Sequence, residues 1–115
     1  MSDCIFCRIV KGEIPATIVR RSDHAVAFRD LDPRAPTHVL VIPTEHVAAV
    51  RDVRGPAGEV LLGRLMAFAA ETASELGLDA GGYRIVTNTG PDAGQSVDHL
   101  HLHILGGRRM TWPPG

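Results

Sequence analysis

Residues 98–105 read DHLHLHIL, a run that alternates histidine with aliphatic residues. Such alternation is typical of a β-strand, because successive side chains of a strand point to opposite sides. We predict that the three histidines share one face of this histidine strand and that the aliphatic side chains pack in a core on the other. Three adjacent imidazoles suit two chemistries: binding of a divalent metal, or contact with a phosphate in which one ring is the nucleophile. These imidazoles belong to His99, His101 and His103.

The composition limits the classes of function. The chain has 115 residues, 44% of them hydrophobic, and we predict one globular domain over residues 1–115. Its formal net charge is −1 and its arginines are scattered, so no basic stripe indicates a polynucleotide partner. No run of eighteen apolar residues occurs, and the N-terminus lacks a basic stretch followed by an apolar one. We therefore expect a cytoplasmic protein that does not enter a membrane.

Four further segments have the pattern of strands. Residues 17–21 and 24–29 are two β-rich runs across a polar turn and predict a hairpin. Residues 38–43 are almost entirely apolar and predict a central strand, and residues 83–88 predict another. With the histidine strand, the sheet has five strands.

The helical pattern is concentrated in one long segment. We predict a helix from Gly55–Pro56 to about Leu76, a short helix over residues 4–12 and a helical turn over residues 45–50. One long helix between the third and fourth strands indicates an α+β fold with a five-stranded antiparallel, meander-like sheet. The apolar stripe of the long helix is wider than one sheet contact needs. A thick core and a packed partner subunit explain this width equally well.

Cys4 and Cys7 form a CxxC pair close to the N-terminus. In a reducing compartment this spacing indicates half of a metal site or a redox pair rather than a structural disulfide. A thioredoxin-like pair would follow a strand and begin a long helix, which this position does not offer. Zinc binding is the better interpretation, and it requires two more nitrogen or sulfur ligands from elsewhere in the fold.

The chain resembles the histidine triad family, in particular its nucleotide-binding branch and the zinc-containing bacterial type within that branch. The histidine strand matches the signature of three histidines alternating with apolar residues, and other motifs agree along most of the chain. These are Ile14-Pro15-Ala16, Ala35-Pro36-Thr37-His38, Val41-Ile42-Pro43, Gly94-Gln95-Ser96-Val97 and Trp112-Pro113-Pro114-Gly115. One departure is Asp98, where relatives often have an aromatic residue or histidine. We expect this carboxylate at an edge or paired with an arginine.

The resemblance implies a homodimer whose two sheets join, and an enzyme that hydrolyses purine nucleoside phosphoramidates. By this comparison His101 attacks the α-phosphorus and forms a transient nucleotidyl-histidine. His103 then binds the nonbridging phosphate oxygens, His38 orients the histidines and Ser96 lies near the bridging atom. Attack requires a neutral imidazole, and an ordinary histidine pKa of about 6.5 leaves most of the ring neutral at pH 7.

The resemblance also implies the residues that bind the nucleotide. Asp30 corresponds to the acidic residue that binds both ribose hydroxyls. The apolar slot for the base corresponds to Phe6, Ile9, Phe28 and Leu31, and the phosphate contacts correspond to Asn88, Gly94, Gln95 and Ser96. Without the family comparison, Asp30 is more simply a turn residue, and the two phenylalanines are ordinary core.

The resemblance places the missing metal ligands at His46 and His99, so that His99 becomes a structural ligand beside the catalytic histidines. The rival interpretation is a catalytic zinc on His99, His101 and His103, which leaves the cysteines unexplained. No organic cofactor is expected. Two other functions stay open: a dinucleoside polyphosphate hydrolase, which the Trp-Pro-Pro-Gly ending disfavours, and a nucleotide-binding module with vestigial activity.

Overall fold

The computed structural model describes residues 3–115, so the first two residues of the predicted domain lie outside the description. A short helix and three strands precede the long helix and two strands follow it, which is the order that the sequence predicts for an α+β fold. The strands are β1 (Ile18–Arg21), β2 (Ala25–Arg29), β3 (Thr37–Pro43), β4 (Tyr83–Val86) and β5 (Leu102–Gly106). The helices are α1 (Ile5–Val10) and α2 (Gly55–Glu75), with a short 3₁₀ turn at Val50–Asp52.

All five strands form one antiparallel sheet in the order β1-β2-β3-β5-β4. The predicted fold class, a five-stranded antiparallel sheet with one long helix, is confirmed. The order departs from a simple meander at its end, since β5 lies between β3 and β4. The histidine strand is therefore an inner strand, and His103 stands opposite Leu40 of β3.

The two faces of the sheet are covered by different helices. Helix α2 buries Leu65, Phe68, Ala69 and Ala73 against one face. The short helix α1 buries Phe6 and Ile9 in a second, smaller cluster on the other face. Gly12, with φ of 74°, follows α1 and turns the chain away, as its sequence position predicts.

The histidine strand begins later than the sequence predicts, at Leu102 instead of His99. Continuing the pairing of β3 with β5 would bring Pro43 opposite Leu100. Proline has no N–H to donate, so the ladder ends there. The predicted alternation of faces still holds, because Leu100, Leu102 and Ile104 all lie in the core beneath α2.

The helical turn predicted over residues 45–50 does not form. Residues 46–49 have no regular structure, and Ala49 is extended with φ of −160°. The carbonyl oxygens of this segment accept hydrogen bonds from distant parts of the chain. Val47 accepts from the Leu100 N–H, and Ala48 accepts from the Gln95 side chain. The 3₁₀ turn follows only at Val50.

Helix α2 uses only part of its apolar stripe for the core. Leu61, Leu62 and Leu76 are half-buried, and Met66 is 48% exposed. On the polar side, Glu71 and Glu75 both pair with Arg20 of β1. Among residues 3–115, no helix is both long and apolar enough to cross a bilayer.

Candidate active site and metal centre

His38 and His103 form one hydrogen-bonded pair on the face of the sheet opposite α2. The His38 Nε2 atom lies 2.9 Å from His103 Nδ1 and 3.3 Å from Asp30 Oδ2. On the other side of the His38 ring, the backbone N–H of Arg34 donates to Nδ1 over 3.0 Å. Neighbouring strands hold the pair together, because β3 begins at Thr37 and its ladder with β5 sets Leu40 opposite His103.

These hydrogen bonds assign the tautomers of both rings. His38 Nδ1 accepts a proton from Arg34, so in the neutral ring the proton is on Nε2. That N–H donates to His103 Nδ1, so the His103 proton is on Nε2. His103 therefore offers a hydrogen-bond donor on the side of its ring away from His38.

Burial keeps both rings neutral. It lowers the pKa of His103 to about 4, with further lowering by His101 and His38 and an opposing effect of Asp30. The pKa of His38 is also lowered, first by burial, although Asp30 again opposes the change. At pH 7 the pair acts as neutral hydrogen-bonding groups.

His101 has the opposite tautomer. Its Nδ1 lies 2.7 Å from the carbonyl oxygen of His99, so the proton is on Nδ1 and Nε2 keeps its lone pair. The side chain is buried, and its ring lies 5.2 Å from the His103 ring. A nucleophilic nitrogen and a hydrogen-bond donor thus stand side by side.

Cys4, Cys7, His46 and His99 form a second cluster, with all four ligand atoms within 4.8 Å of one another. His99 Nδ1 is 3.3 Å from Cys4 Sγ, 3.5 Å from Cys7 Sγ and 3.2 Å from His46 Nδ1. Zinc bonds of about 2.0–2.3 Å in a tetrahedron place ligand atoms roughly 3.3–3.8 Å apart. These residues therefore fit a tetrahedral metal ion.

The orientation of His99 also suits a ligand. Its Nε2–H donates to the Pro43 carbonyl oxygen over 2.9 Å, so Nδ1 directs a lone pair at the cluster. Burial lowers the pKa of this histidine, with a smaller lowering from His46 and His101 and an opposing effect of the Pro43 hydrogen bond. A neutral ring is the form that binds metal.

Within residues 3–115, a second group spaced for a metal is Asp30, His38 and His103. Its hydrogen bonds argue against metal binding. The Arg34 N–H occupies the His38 Nδ1 lone pair, so Nε2 carries the proton that a metal would have to displace. These residues are better described as a hydrogen-bonded group, centred on the His38 ring, that orients His103.

The loop before the histidines is held by Gln95. The Gln95 side chain accepts from the Gly90 N–H and donates to the carbonyl oxygens of Ala48 and Val97. The Gln95 backbone N–H donates to the Gly90 carbonyl over 3.1 Å and the Gly94 N–H to the Pro91 carbonyl over 3.0 Å, so these two predicted phosphate donors are already used within the loop. Ser96 is exposed and lines a cavity of about 540 Å³ together with Cys4, His46 and the exposed Asp98.

An apolar cavity of about 260 Å³ lies between α1 and β2. It brings together Asp30 and all four residues that the resemblance assigns to the base slot. Leu31 is 98% exposed at its rim, whereas Phe6 is 5% exposed at its floor. The structure adds further lining residues: Ile5, Ile14, Pro15, Ala16, Arg29 and Leu40.

Comparison with known proteins identifies the family. Residues 11–110 match the family described as HIT domain. The chain belongs to the HIT domain family. It is 44% identical over 115 residues to the 14 kDa zinc-binding protein of Zea mays, covering 99% of this chain and 89% of the maize protein.

Solved HIT structures agree with the sheet described above. A HIT family hydrolase from Legionella pneumophila is 48% identical, with a TM-score of 0.94 over 98% of this chain and 100% of the other. The histidine triad nucleotide-binding protein from Candida albicans is 32% identical, with a TM-score of 0.82 over 96% and 83% of the two chains. The histidine triad family predicted from the sequence is thus confirmed.

Three contributors to this HIT site are backbone groups that residue types do not reveal. The Arg34 N–H sets the His38 tautomer, the Pro43 carbonyl orients His99 and the His99 carbonyl sets the His101 tautomer. Leu40 could have been found as part of the apolar slot, because it is two residues from His38 and shares its face of β3. Asn88 is half-buried at the end of β4, and Gly94 is exposed in the loop.

Proposed function

We propose that this HIT-domain protein hydrolyses purine nucleoside phosphoramidates at the α-phosphate through a nucleotidyl-histidine intermediate. The observation that carries the proposal is the hydrogen bond from His101 Nδ1–H to the His99 carbonyl, which leaves Nε2 as a free nucleophile. The names of two relatives support it: one is a HIT family hydrolase, the other a histidine triad nucleotide-binding protein.

Attack by His101 forms a bond between Nε2 and phosphorus and breaks the phosphorus–nitrogen bond of the substrate. The ring becomes a cation because Nδ1 keeps its proton, and the His99 carbonyl stabilises that charge. The departing nitrogen takes up a proton from solvent and leaves as the amine, and the resemblance places the Ser96 hydroxyl near this nitrogen. Water then attacks phosphorus and breaks the bond to Nε2, which releases the monophosphate, returns a proton to solvent and restores neutral His101.

His103 stabilises the charge that develops on the phosphoryl oxygens. Its Nε2–H is a donor that stays in place because His38 fixes the tautomer through Nδ1. The Ser96 N–H and the Asn88 side chain are further donors in this proposal, whereas the N–H groups of Gly94 and Gln95 already donate to the carbonyl oxygens of Pro91 and Gly90. A preorganised donor costs little reorganisation during the reaction.

The apolar cavity and Asp30 form the nucleoside site of this proposal. Phe6, Ile9, Phe28 and Leu31 line the cavity for the base, with Asp30 at the same cavity for the ribose hydroxyls. Asp30 Oδ1 accepts from the Asp32 N–H and Oδ2 faces His38. Each oxygen keeps a further lone pair for a ribose hydroxyl.

The metal of this protein is zinc in our proposal, bound by Cys4, Cys7, His46 and His99. The tetrahedral spacing of the ligand atoms supports it, as does the name of the maize relative. Bound zinc would crosslink α1 to the start of the histidine segment and take no part in the reaction. We further propose that the protein is a homodimer.

The nucleophile is tested with His101→Ala. We expect turnover of adenosine 5′-phosphoramidate to be abolished, while the affinity for AMP changes by less than about tenfold, the scale of one lost contact. His24→Ala is the matched control, since His24 is exposed on the β1–β2 turn and outside the site. Unchanged turnover in His101→Ala would refute the assignment.

The leaving group is tested by comparing adenosine 5′-phosphoramidate with diadenosine triphosphate. Both substrates present an α-phosphate to the same nucleophile and differ in the group that departs. A clear preference for the phosphoramidate supports the proposal. A clear preference for the dinucleotide would instead establish a dinucleoside polyphosphate hydrolase, and binding of AMP without turnover of either would indicate a binding module.

A further inference from the structure

Phe6 lies between the two cysteines, on the inner side of α1. Its ring centroid is 5.2 Å from that of His101, at an interplanar angle of 88°, and 5.9 Å from that of His99, at 72°. A third edge contact joins it to Phe28, 5.5 Å away. Phe6 therefore touches both a metal-cluster histidine and the histidine that carries the reactive lone pair.

The hydrogen bonds alone leave the ring plane of His101 weakly defined. Within residues 3–115, the ring makes one hydrogen bond, in which its Nδ1–H donates to the His99 carbonyl. The torsion that turns a histidine ring about its Cβ–Cγ bond has a broad energy minimum. Packing must supply the remaining restraint, and the ring of Phe6, perpendicular to that of His101, provides a surface against which the plane is set.

The position of Phe6 is in turn fixed from the metal cluster. Cys4 caps the start of α1, where its Sγ accepts from the Cys7 N–H, and both thiols approach His99 Nδ1. His99 also supplies the carbonyl that binds His101. Both restraints on the nucleophile, one through backbone and one through Phe6, therefore start from the same four-residue cluster.

We propose that Phe6 is a positioning residue for the nucleophile: its edge-to-face contact sets the ring plane of His101, and the cysteine-bearing helix α1 holds it there. This role rests on the proposed phosphoramidase function. It differs from the base-slot role that the resemblance gives to Phe6. A residue that only lines the base slot affects substrate affinity, whereas a residue that orients the nucleophile affects the bond-forming step.

The test is Phe6→Leu, which keeps an apolar side chain in the cluster and removes the aromatic contact. We expect kcat for adenosine 5′-phosphoramidate to fall on the order of tenfold, the scale of one aromatic pair. KM and the AMP dissociation constant should stay within about threefold. Val26→Ala is the stability control, because Val26 belongs to the same buried cluster as Phe6 and Ile42. Its kcat should stay within about twofold despite a lower unfolding temperature.

A second readout does not need activity. In nuclear magnetic resonance spectra of isotope-labelled protein, the nuclear Overhauser contacts of the His101 ring protons with neighbouring side chains should change in Phe6→Leu, while those of the His38 ring should stay the same. Chemical shifts alone do not decide, because loss of the Phe6 ring current moves the His101 signals in any orientation. Phe6→Met serves as a second variant, and zinc content is measured for both. If the wild type does not turn over phosphoramidates, the proposed function is wrong. The spectra of His101 still show whether Phe6 orients its ring, because they do not depend on activity.

Three results would overturn the positioning role. One is an unchanged kcat with a raised KM, which would make Phe6 a base-slot residue alone. Another is a His101 ring that keeps its wild-type nuclear Overhauser contacts in Phe6→Leu. The third is loss of zinc from both Phe6 variants, which would make Phe6 part of the folding of the metal cluster.

Discussion

At the scale of single residues, the site depends on two neighbouring imidazoles with opposite tautomers. His101 carries its proton on Nδ1 and His103 carries its proton on Nε2. Each assignment comes from one hydrogen bond on the side of the ring away from the substrate. The same residue type two positions apart can therefore act once as nucleophile and once as donor.

The lowered pKa of His103 predicts how stability depends on pH. The folded protein binds this proton only near pH 4, whereas the unfolded chain binds it near the ordinary value of about 6.5. Between these values the unfolded chain carries the extra proton, so stability falls as pH decreases from about 6.5 towards 4 and is unaffected by His103 above that range. His103→Gln, whose amide can still accept from His38, should flatten this dependence.

The measurement is the thermal unfolding temperature of both proteins over this pH range. Groups outside the His38–His103 pair are the same in both proteins, so the difference between the two slopes reports on His103 and its hydrogen-bonded partner His38. Parallel slopes would show that His103 titrates in the folded protein as it does in the unfolded chain.

Residue types predicted the members of both clusters but not their hydrogen bonds. The grouping of His38 with His103, and of His46 with His99, followed from the histidine pattern and the family resemblance. The tautomers depend on the backbone groups of Arg34 and His99, whose directions are set by the path of the chain. A backbone N–H or carbonyl is present at almost every residue, so the sequence does not indicate which one is used.

At the scale of elements, the end of the sheet ladder separates the two clusters. β5 begins at Leu102, so His103 is on the strand while His99 and His101 precede it. The backbone of this preceding segment bonds outside the ladder, with the Leu100 N–H donating to the Val47 carbonyl. The His99 side chain there faces the cysteines and its carbonyl faces the His101 ring. All three histidines still lie on the face opposite Leu100, Leu102 and Ile104, as the alternation predicts.

The element that depends most on the metal cluster is α1. A helix of 6 residues is too short to be stable alone, so its attachment must come from packing and from Cys4 and Cys7. We expect about one zinc per chain in the wild type, and its loss in the double variant Cys4→Ser with Cys7→Ser. The unfolding temperature should fall while some phosphoramidase activity remains, since His101 and His103 are intact.

Elemental analysis of the purified proteins measures the zinc, with His101→Ala as the matched control that should keep it. Zinc kept by the cysteine variant and lost from His101→Ala would place the metal on the histidine triad instead.

Sequence patterns located the elements well where one periodicity extended over many residues. Helix α2 and the β1–β2 hairpin lie where they were predicted. The turn expected over residues 45–50 was wrong because the helical pattern there competes with hydrogen bonds from Gln95 and Leu100, more than 45 residues away in sequence. The backbone conformation of such short segments is determined by tertiary contacts rather than by local sequence pattern.

At the scale of the whole molecule, the two ends of the sheet differ. The outer strand β1 has a register shift and carries Arg20 and Arg21, features that protect an edge from pairing. The opposite edge, β4, pairs regularly with β5. Next to β4, Arg84 donates to the Thr111 carbonyl and stands 5.9 Å over the ring of Trp112, which is 81% exposed. The β4 edge thus combines an open ladder with exposed aromatic surface.

An open edge and a partly exposed helix stripe predict a homodimer joined on the β4 side. Light scattering at micromolar concentration should give twice the chain mass of 12.3 kDa. Met66→Glu puts a charge on the half-exposed flank of α2 and should shift the mass towards the monomer. Ile18→Glu is the matched control, because Ile18 is similarly exposed, at 40%, but lies on β1. A wild-type mass of one chain would contradict the dimer, and dissociation by Ile18→Glu alone would move the interface to the β1 edge.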